Sequence, residues 1–260
     1  MKTPLRPFWQ LAFRIPGFRV LWKRASQNLA FRREFVRFAA LSRASGSRFP
    51  VRWEDRKAFL DDKTDSTSFD THYVYHCAWA ARVLAKTRPK SHVDISSSLN
   101  FSTIVSAFVP VRFYDFRPPR LILPGLEVQR ADLCALPLPT ASIQSLSCMH
   151  VVEHIGLGRY GDPLDPDGDL KAIAELKRVM ASGGSLLFVV PVGKPKLVFN
   201  GHRIYSHRQI REYFGGLDLK QFVLIPDNAA ETGILYDPTE ERADAQRYGC
   251  GCFWFQKLSS

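Results

Sequence analysis

From Tyr73 onward, short apolar runs alternate with helical patterns of apolar residues. Val93 and Ile95 flank Asp94 in the first apolar run, small polar residues follow, and a helical pattern extends over 101–108. A strand, a small-residue turn and a helix are typical of the first βα unit of a doubly wound sheet, whose ligands bind beyond the carboxyl ends of the strands. The pattern therefore predicts a ligand site above this turn.

The rest of the chain continues the same alternation. Further strands are predicted over 111–115, 125–131, 142–150, 186–190, 220–225 and 251–256, and helices over 73–86, 170–180 and 206–214. The 186–190 run is entirely apolar, as expected of a central parallel strand. Ser182-Gly183-Gly184 is predicted to end the helix before it. We therefore expect an α/β protein with a doubly wound, mostly parallel, seven-stranded sheet.

The turn after the first strand lacks the glycines that such turns commonly contain. Ser96, Ser98 and Asn100 occupy the three positions of a Gly-x-Gly-x-Gly series. Serine is small, but it adopts positive φ angles less freely than glycine does. Two outcomes stay open: the hydroxyl groups supply new hydrogen bonds to a ligand, or they obstruct it.

Asp115 ends the second strand, 21 positions after Asp94. A doubly wound fold commonly has an acid at this place, which accepts hydrogen bonds from ribose hydroxyls. The spacing favours that role over the alternative, a turn residue that merely ends the strand.

Residues 156–169 form a long loop rich in glycine, proline and aspartate at the end of the fourth strand. Loops of this length in compact domains are usually functional or disordered, and this one is predicted to cover a site. Its aspartates do not match a calcium-binding loop, so Asp167 or Asp169 is interpreted as a helix cap. Asp70 or Thr71 is predicted to cap the 73–86 helix.

Charge divides the chain into a basic extension, residues 1–57, and a body, residues 58–260. The extension has 14 Lys and Arg against three acids, whereas the body has 22 of each sign. Aromatic residues are interleaved with the basic ones, and 28–41 is predicted to form a basic amphipathic helix. Residues 1–45 therefore suit an anionic membrane surface, although a helical arm packed on the body is favoured. A nucleic-acid-binding tail is less favoured because no known binding motif accompanies it.

The composition predicts a cytoplasmic protein. The sequence has neither a transmembrane apolar run nor a signal-peptide pattern. The odd number of cysteines suits reduced thiols. No metal site is predicted, because Cys250-Gly251-Cys252 is too tightly spaced and His72 and His76 lack the local glutamate that usually accompanies such a pair.

Five motifs together resemble the class I S-adenosylmethionine-dependent methyltransferases. They are the turn after Asp94, Asp115, Ala131-Asp132-Leu133, Val151-Val152-Glu153-His154 and residues 177–187, which read KRVMASGGSLL. The resemblance covers about residues 73–225. The 96–101 and 152–162 segments also resemble a little-characterised bacterial subgroup, which we associate with surface-polysaccharide genes.

The resemblance implies a Rossmann-like methyltransferase fold and roles for individual residues. Asp94 and the backbone of 96–100 would hold the methionine end of S-adenosylmethionine, and Asp115 its ribose. Asp132 would accept a hydrogen bond from the adenine amino group, and Leu133 would contact the ring. The cofactor-binding set is then Asp94, Ser96, Ser97, Ser98, Asn100, Asp115, Asp132, Leu133 and His150.

Methyl transfer requires alignment of the acceptor and removal of its proton. His154 is the first candidate for the base, with Glu153 to orient it and His150 beside them; a structural role for His154 is the alternative. The predicted acceptor-binding residues are Asp162, His202, Arg203 and Tyr205. The expected reaction is O-methylation of a small molecule or a glycan precursor. A catalytically silent binding module and, less favoured, a nucleic-acid methyltransferase are the alternatives.

Overall fold

The structure is a computed structural model that describes residues 18–259. Over these residues the chain separates into two compact units, the first ending at Ser68 and the second beginning at Phe69. The charge-based boundary between residues 57 and 58 therefore lies inside the first unit. The first seventeen residues, and with them part of the predicted membrane-binding stretch, lie outside the described part of the chain.

The first unit consists of helix α1, Phe18–Ala44, and the segment that follows it. The helix is longer than the predicted 28–41. Phe35 and Phe31 pack against Trp53, with ring centroids 4.9 and 6.2 Å apart respectively. Gln27 Nε2 donates a hydrogen bond of 2.7 Å to the carbonyl of Leu60. One face of α1 is thus covered by residues of its own unit.

The second unit alternates strands and helices as the apolar pattern predicts. Its helices are α2 Thr71–Thr87, α3 Leu99–Val105, α4 Gly168–Val179, α5 His207–Tyr213, α6 Ala229–Thr232 and α7 Glu240–Asp244. Its strands are β1 His92–Ile95, β2 Val111–Asp115, β3 Leu126–Arg130, β4 Ile143–Met149, β5 Met180–Val192, β6 Lys196–Val198, β7 His202–Ile204, β8 Leu217–Ile225, β9 Leu235–Tyr236 and β10 Gly249–Lys257. Asp70 caps α2 by accepting from the Tyr73 amide, as predicted.

The main sheet has the strand order β3-β2-β1-β4-β5-β10-β8-β9. The five neighbouring strands β3, β2, β1, β4 and β5 pair in parallel. Strand β10 lies antiparallel between β5 and β8. The chain is therefore an α/β protein with a mostly parallel central sheet, which confirms the predicted fold class. The sheet has an eighth strand beyond the seven predicted, the two-residue edge strand β9.

The prediction for Ser182-Gly183-Gly184 was wrong. Helix α4 already ends at Val179, and these residues lie within β5. Gly183 has a φ of +71°, and the register against β4 shifts between Ile143 and Ser145. Glycine in this strand therefore forms an irregularity rather than a helix cap.

Helices cover both faces of the sheet. Ala172, Ile173 and Leu176 of α4 belong to one buried cluster, together with Phe188 of β5. Residues of α2 and α3, including Trp79, belong to a second cluster. Because both faces are covered, the carboxyl ends of the parallel strands are where a ligand has access.

A chain of buried polar side chains connects β1 with β4. The Ser147 hydroxyl donates to Asp94 Oδ1 at 2.5 Å, so its oxygen accepts from His92 Nε2 at 2.8 Å. His92 Nδ1 then accepts from the Ser145 hydroxyl, also at 2.8 Å. Burial lowers the pKa of His92 to about 3, which keeps the imidazole neutral in the folded protein.

Replacing His92 by glutamine is expected to reduce the pH dependence of stability. Unfolded His92 titrates at its ordinary pKa, so wild type loses stability as the pH falls below 6.5. The linkage amounts to about 1.4 kcal/mol between pH 7.5 and 5.5. In urea unfolding, the difference in unfolding free energy between wild type and His92→Gln should therefore shrink by this amount as the pH falls from 7.5 to 5.5. A difference that is constant over this range would contradict the buried neutral state.

Candidate functional site

A cavity of about 360 Å³ opens at the carboxyl ends of β1, β2 and β4. Its wall contains residues from the first turn, from the ends of β2 and β4, and from the loop before α4. The side chains relevant here are Tyr73, Ser96, Ser97, Ser98, Asp115, Arg117, Asp132, Leu133, Met149, His150, His154, Tyr160 and Asp162. Small-molecule sites in proteins commonly have this size and this mixture of apolar and polar walls.

The turn after β1 keeps the backbone shape of a glycine turn although it is made of serines. Ser96 has a φ of +53°, in the left-handed region that favours glycine. Its amide donates to the Tyr114 carbonyl at 2.8 Å, and its hydroxyl donates to the same oxygen at 3.2 Å. These hydrogen bonds hold Ser96 in a conformation that is otherwise unfavourable by ~1–2 kcal/mol.

Two substitutions at Ser96 separate strain from hydrogen bonding. Ser96→Ala keeps the strain and removes the hydroxyl, whereas Ser96→Gly removes both. We expect the glycine variant to be more stable than the alanine variant by about 1 kcal/mol in chemical unfolding. Equal stability of the two variants would show that the left-handed conformation is not maintained in solution.

Asp94 lies beneath the cavity, not in its wall. Its carboxylate is fully buried and accepts hydrogen bonds from Ser102 and Ser147. Burial raises its pKa to about 6. The Ser97 hydroxyl oxygen accepts from the Met149 amide at 3.1 Å. Asp94 therefore positions the turn from below, and the expectation that it holds a ligand directly is corrected because its oxygens are already engaged.

Asp115 and Asp132, the predicted ribose-binding and adenine-binding residues, both line the cavity. Each carboxylate accepts one local amide: Asp115 Oδ1 from Arg117 at 2.6 Å, and Asp132 Oδ1 from Cys134 at 2.8 Å. Leu133 is buried against the same cavity. Asn100, in contrast, is an exposed residue of α3 outside the cavity wall, because the helix begins directly after Ser98.

The loop before α4 forms the outer wall of the cavity. Asp162 organises it, because Asp162 Oδ2 accepts from the Gly156 amide at 2.7 Å and its other oxygen accepts from Tyr160 at 3.2 Å. The Arg117 guanidinium lies over the Tyr160 ring, 4.6 Å from its centroid. This contact joins the end of β2 to the loop across the cavity mouth.

Arg203 and Tyr205 have structural partners instead of the predicted acceptor-binding role. Arg203 donates to the carbonyls of Ile155 and Pro166 at 2.7 and 3.0 Å. The Tyr205 hydroxyl donates to Asp169 Oδ2 at 2.8 Å. Asp169 is therefore a buried partner of these two side chains and not a helix cap.

Asp167 was predicted to cap a helix and His202 to bind the acceptor, and the structure shows the surroundings of both. Asp167 occupies the N-terminal cap position of α4, but its side chain makes no capping hydrogen bond. His202 is half-buried and packs against Tyr248, with ring centroids 4.8 Å apart. His202 does not line the cavity described above.

Glu153 lies between His150 and His154 in a short 3₁₀ turn after β4. His150 Nδ1 donates to Glu153 Oε1 at 2.8 Å, and His154 Nε2 lies 3.8 Å from the same oxygen. His154 Nδ1 donates to the Gly201 carbonyl at 2.6 Å, which leaves Nε2 with the lone pair. Burial raises the pKa of Glu153 to about 7 and lowers that of His154.

A second cavity, of about 570 Å³, lies beside the first. Tyr73, His150, His154 and Tyr160 line both cavities, so these side chains separate the two spaces. The second cavity also contains Asp70, His72, Glu153, Arg159, Asp227 and Tyr248. Two adjoining cavities separated by histidines are suited to holding two reactants next to each other.

Sequence reasoning missed part of this site. Tyr73 and Arg117 come from segments with no distinguishing motif, and Tyr160 lies in the 156–169 loop, where the sequence assigned it no role of its own. Arg117 carries a sequence signal, since it lies two residues after Asp115. Nothing in the sequence spacing relates Tyr73 to His150.

Similarity to known proteins is clearest in the fold. The structure resembles a candidate methyltransferase of Bacillus halodurans, with 13% identity, a TM-score of 0.50, and coverage of 70% of this chain and 99% of that one. It also resembles the N-methyltransferase NodS of Bradyrhizobium japonicum bound to S-adenosyl-L-homocysteine, with 12% identity, a TM-score of 0.50, and coverage of 72% and 89%. These likenesses show the Rossmann-like fold of methyltransferases for this chain.

Sequence comparisons add one local match. A family model described as a Caenorhabditis protein of unknown function, DUF268, matches residues 140–225. This segment contains β4, the loop before α4, α4 itself and β5. A comparison with curated proteins finds no match. Within residues 18–259, no helix has the length and apolar character required to cross a bilayer.

Proposed function

We propose that this protein is an S-adenosylmethionine-dependent methyltransferase. The observation that carries the proposal is the cavity in which Asp115 and Asp132 share a wall with the turn 96–98. In this assignment Asp115 accepts from both ribose hydroxyls, Asp132 accepts from the adenine amino group, and Leu133 contacts the ring. The amides and hydroxyls of the serine turn hold the methionine end. The bound cofactor supplies the reactive methyl group.

The acceptor is assigned to the second cavity, and His154 is assigned as the base. An in-line displacement requires the acceptor oxygen to lie about 3–3.5 Å from the methyl carbon, opposite the sulfur, so the reaction needs an opening between Tyr73, His150 and His154, the side chains that line both cavities. The free Nε2 of His154 is available to take a hydroxyl proton. The hydrogen bond between His150 and Glu153 holds the His150 ring in place.

The polar lining of the second cavity favours a small hydroxylated acceptor, a glycan precursor included. Asp70, Asp227, Arg159 and Tyr248 offer acceptors and donors suited to hydroxyl groups. Transfer of radiolabelled methyl to extracted small molecules and glycan precursors, compared with total RNA, tests this assignment. Label found only in RNA would favour the nucleic-acid alternative.

Calorimetric titration tests the cofactor assignment. We expect one S-adenosylmethionine or S-adenosylhomocysteine to bind per chain with micromolar affinity, and ATP and NAD⁺ to bind far more weakly. Neither of the latter two has the methionine end that the serine turn would hold. Absence of heat and of a thermal shift at millimolar cofactor would favour a binding module that no longer catalyses.

We also propose that the first unit contacts an anionic membrane surface. Trp22, Leu29 and Val36 are exposed and lie seven residues apart on one face of α1, next to Arg33 and Arg37. Aromatic and apolar groups beside arginines suit the head-group layer of acidic lipids.

Vesicle sedimentation measures this contact. Binding to phosphatidylglycerol vesicles should be salt-sensitive, absent from phosphatidylcholine vesicles, and weakened by Arg33→Glu with Arg37→Glu. The matched control is Arg211→Glu with Lys220→Glu in the second unit. Equal effects of the two pairs would leave only non-specific charge attraction and contradict the proposal.

A further inference from the structure

Three potential metal ligands from distant parts of the chain meet beside the second cavity. They are His72 in the first turn of α2, His150 after the end of β4, and Cys250 near the start of β10. One ligand atom from each residue lies within 4.8 Å of the other two. His150 and Cys250 are buried and His72 is partly buried. We propose that these three residues form a binding site for a zinc-type divalent cation.

The His150 imidazole is oriented in the way that metal-bound histidines usually are. His150 Nδ1 is bonded to the Glu153 carboxylate, so the lone pair lies on Nε2, which faces Cys250 Sγ at 3.4 Å. The His72 ring packs against the Tyr248 ring, with centroids 5.2 Å apart. A carboxylate or carbonyl on the second ring nitrogen is the usual outer partner of a ligating histidine.

The separation of the donors matches tetrahedral coordination. Zinc–sulfur and zinc–nitrogen bonds of about 2.3 and 2.0 Å at a tetrahedral angle separate the two donors by about 3.5 Å. The His150–Cys250 pair already has this separation. The His72 ring is stacked on His150, with centroids 5.4 Å and planes 11° apart, so the His72 ring has to reorient before its lone pair meets the ion held by His150 and Cys250.

The ligand types favour zinc, and their surroundings favour a site with one open coordination position. Two imidazoles and a thiolate favour zinc over magnesium or calcium, which prefer oxygen ligands. His72 and His150 line the second cavity, so a fourth coordination position is accessible from it. Three protein ligands with one open position are typical of zinc sites that bind an exchangeable ligand. His150 has a φ of +58°, a strained conformation of the kind found at binding sites.

Cobalt substitution tests the site on the full chain, without cofactor. Reduced, chelator-treated protein should bind one Co²⁺ with thiolate-to-cobalt charge-transfer absorption and tetrahedral visible bands, and Zn²⁺ should displace it. Cys250→Ser should lose the charge-transfer band and bind Zn²⁺ at least 100-fold more weakly. His72→Ala should weaken binding about as much.

Cys252→Ser is the matched control, since Cys252 Sγ lies 4.0 Å from Cys250 Sγ in the same strand. It should keep both the band and the affinity. Wild type without stoichiometric Co²⁺ absorption, or a band that persists in Cys250→Ser, would overturn the proposal. A loss in Cys252→Ser equal to that in Cys250→Ser would overturn the three-ligand assignment. Because cofactor is absent throughout, these outcomes are independent of methyl transfer.

Discussion

Asp115→Ala is expected to weaken S-adenosylhomocysteine binding by at least ~100-fold, measured by calorimetric titration. In the proposed complex the Asp115 carboxylate accepts two hydrogen bonds from the ribose, and hydrogen bonds to a charged group contribute ~1.5–3 kcal/mol each. Asp115→Asn keeps the shape of the side chain and one acceptor oxygen, so its affinity for S-adenosylhomocysteine should fall only about tenfold.

The control for this comparison is Asp218→Ala. Asp218 is an exposed acid in β8 whose carboxylate pairs with Lys220 at 3.2 Å, so its removal should not change affinity. Because the Asp115 carboxylate also accepts the Arg117 amide, thermal unfolding of every variant has to accompany the titration. Unchanged affinity in a folded Asp115→Ala variant would remove the ribose assignment.

Gly156→Ala is expected to destabilise the protein by about 3 kcal/mol and to abolish cofactor binding. Gly156 has a φ of +80°, and a Cβ atom there would lie 2.0 Å from the Asp165 carbonyl oxygen. That oxygen belongs to the backbone of the same loop, so relief requires the loop to move. The loop forms the outer cavity wall, which links this steric clash to ligand binding.

Gly161→Ala separates backbone strain from the clash. Gly161 lies in the same loop with nearly the same φ, +84°, but a Cβ atom there meets nothing within 4 Å. Gly161→Ala should lower the free energy of unfolding by only ~1 kcal/mol and leave cofactor binding intact. Chemical unfolding together with titration measures both effects. Equal losses in the two variants would mean that the loop is not packed as described.

The sequence predicts the parallel part of the sheet well because each strand carries its own signal. Leu186–Val190 is apolar throughout and lies at the centre of the sheet, as a strand buried on both faces must. The positions of Asp115 and Asp132 after strands predict that they lie near each other, since strand ends in a parallel sheet meet at one edge, and both line the cavity. These inferences need only local pattern and a topology rule.

Other features depend on partners that are distant in sequence. The acid-rich loop and Arg203 interact because β7 brings the guanidinium to the Ile155 and Pro166 carbonyls. His72, His150 and Cys250 converge only because β10 lies next to β5 and α2 packs over it. The buried state of Asp94 likewise follows from Ser147, whose spacing from Asp94 has no meaning until β1 pairs with β4.

Serine at the turn shows a different limit. Propensity argues against a positive φ at Ser96, yet the structure keeps it there through two hydrogen bonds to Tyr114. Propensity describes one residue at a time, whereas the carbonyl that compensates the strain belongs to the neighbouring strand. The absence of glycines therefore does not by itself change the backbone shape of the turn 96–98.

A crystal structure of the protein grown with S-adenosylhomocysteine tests the central claim most directly. The account predicts density for the ribose hydroxyls within hydrogen-bonding distance of Asp115 and for the adenine amino group at Asp132. It also predicts that the homocysteine end lies against the turn 96–98. An empty cavity at saturating ligand, or ligand bound away from both aspartates, would contradict it.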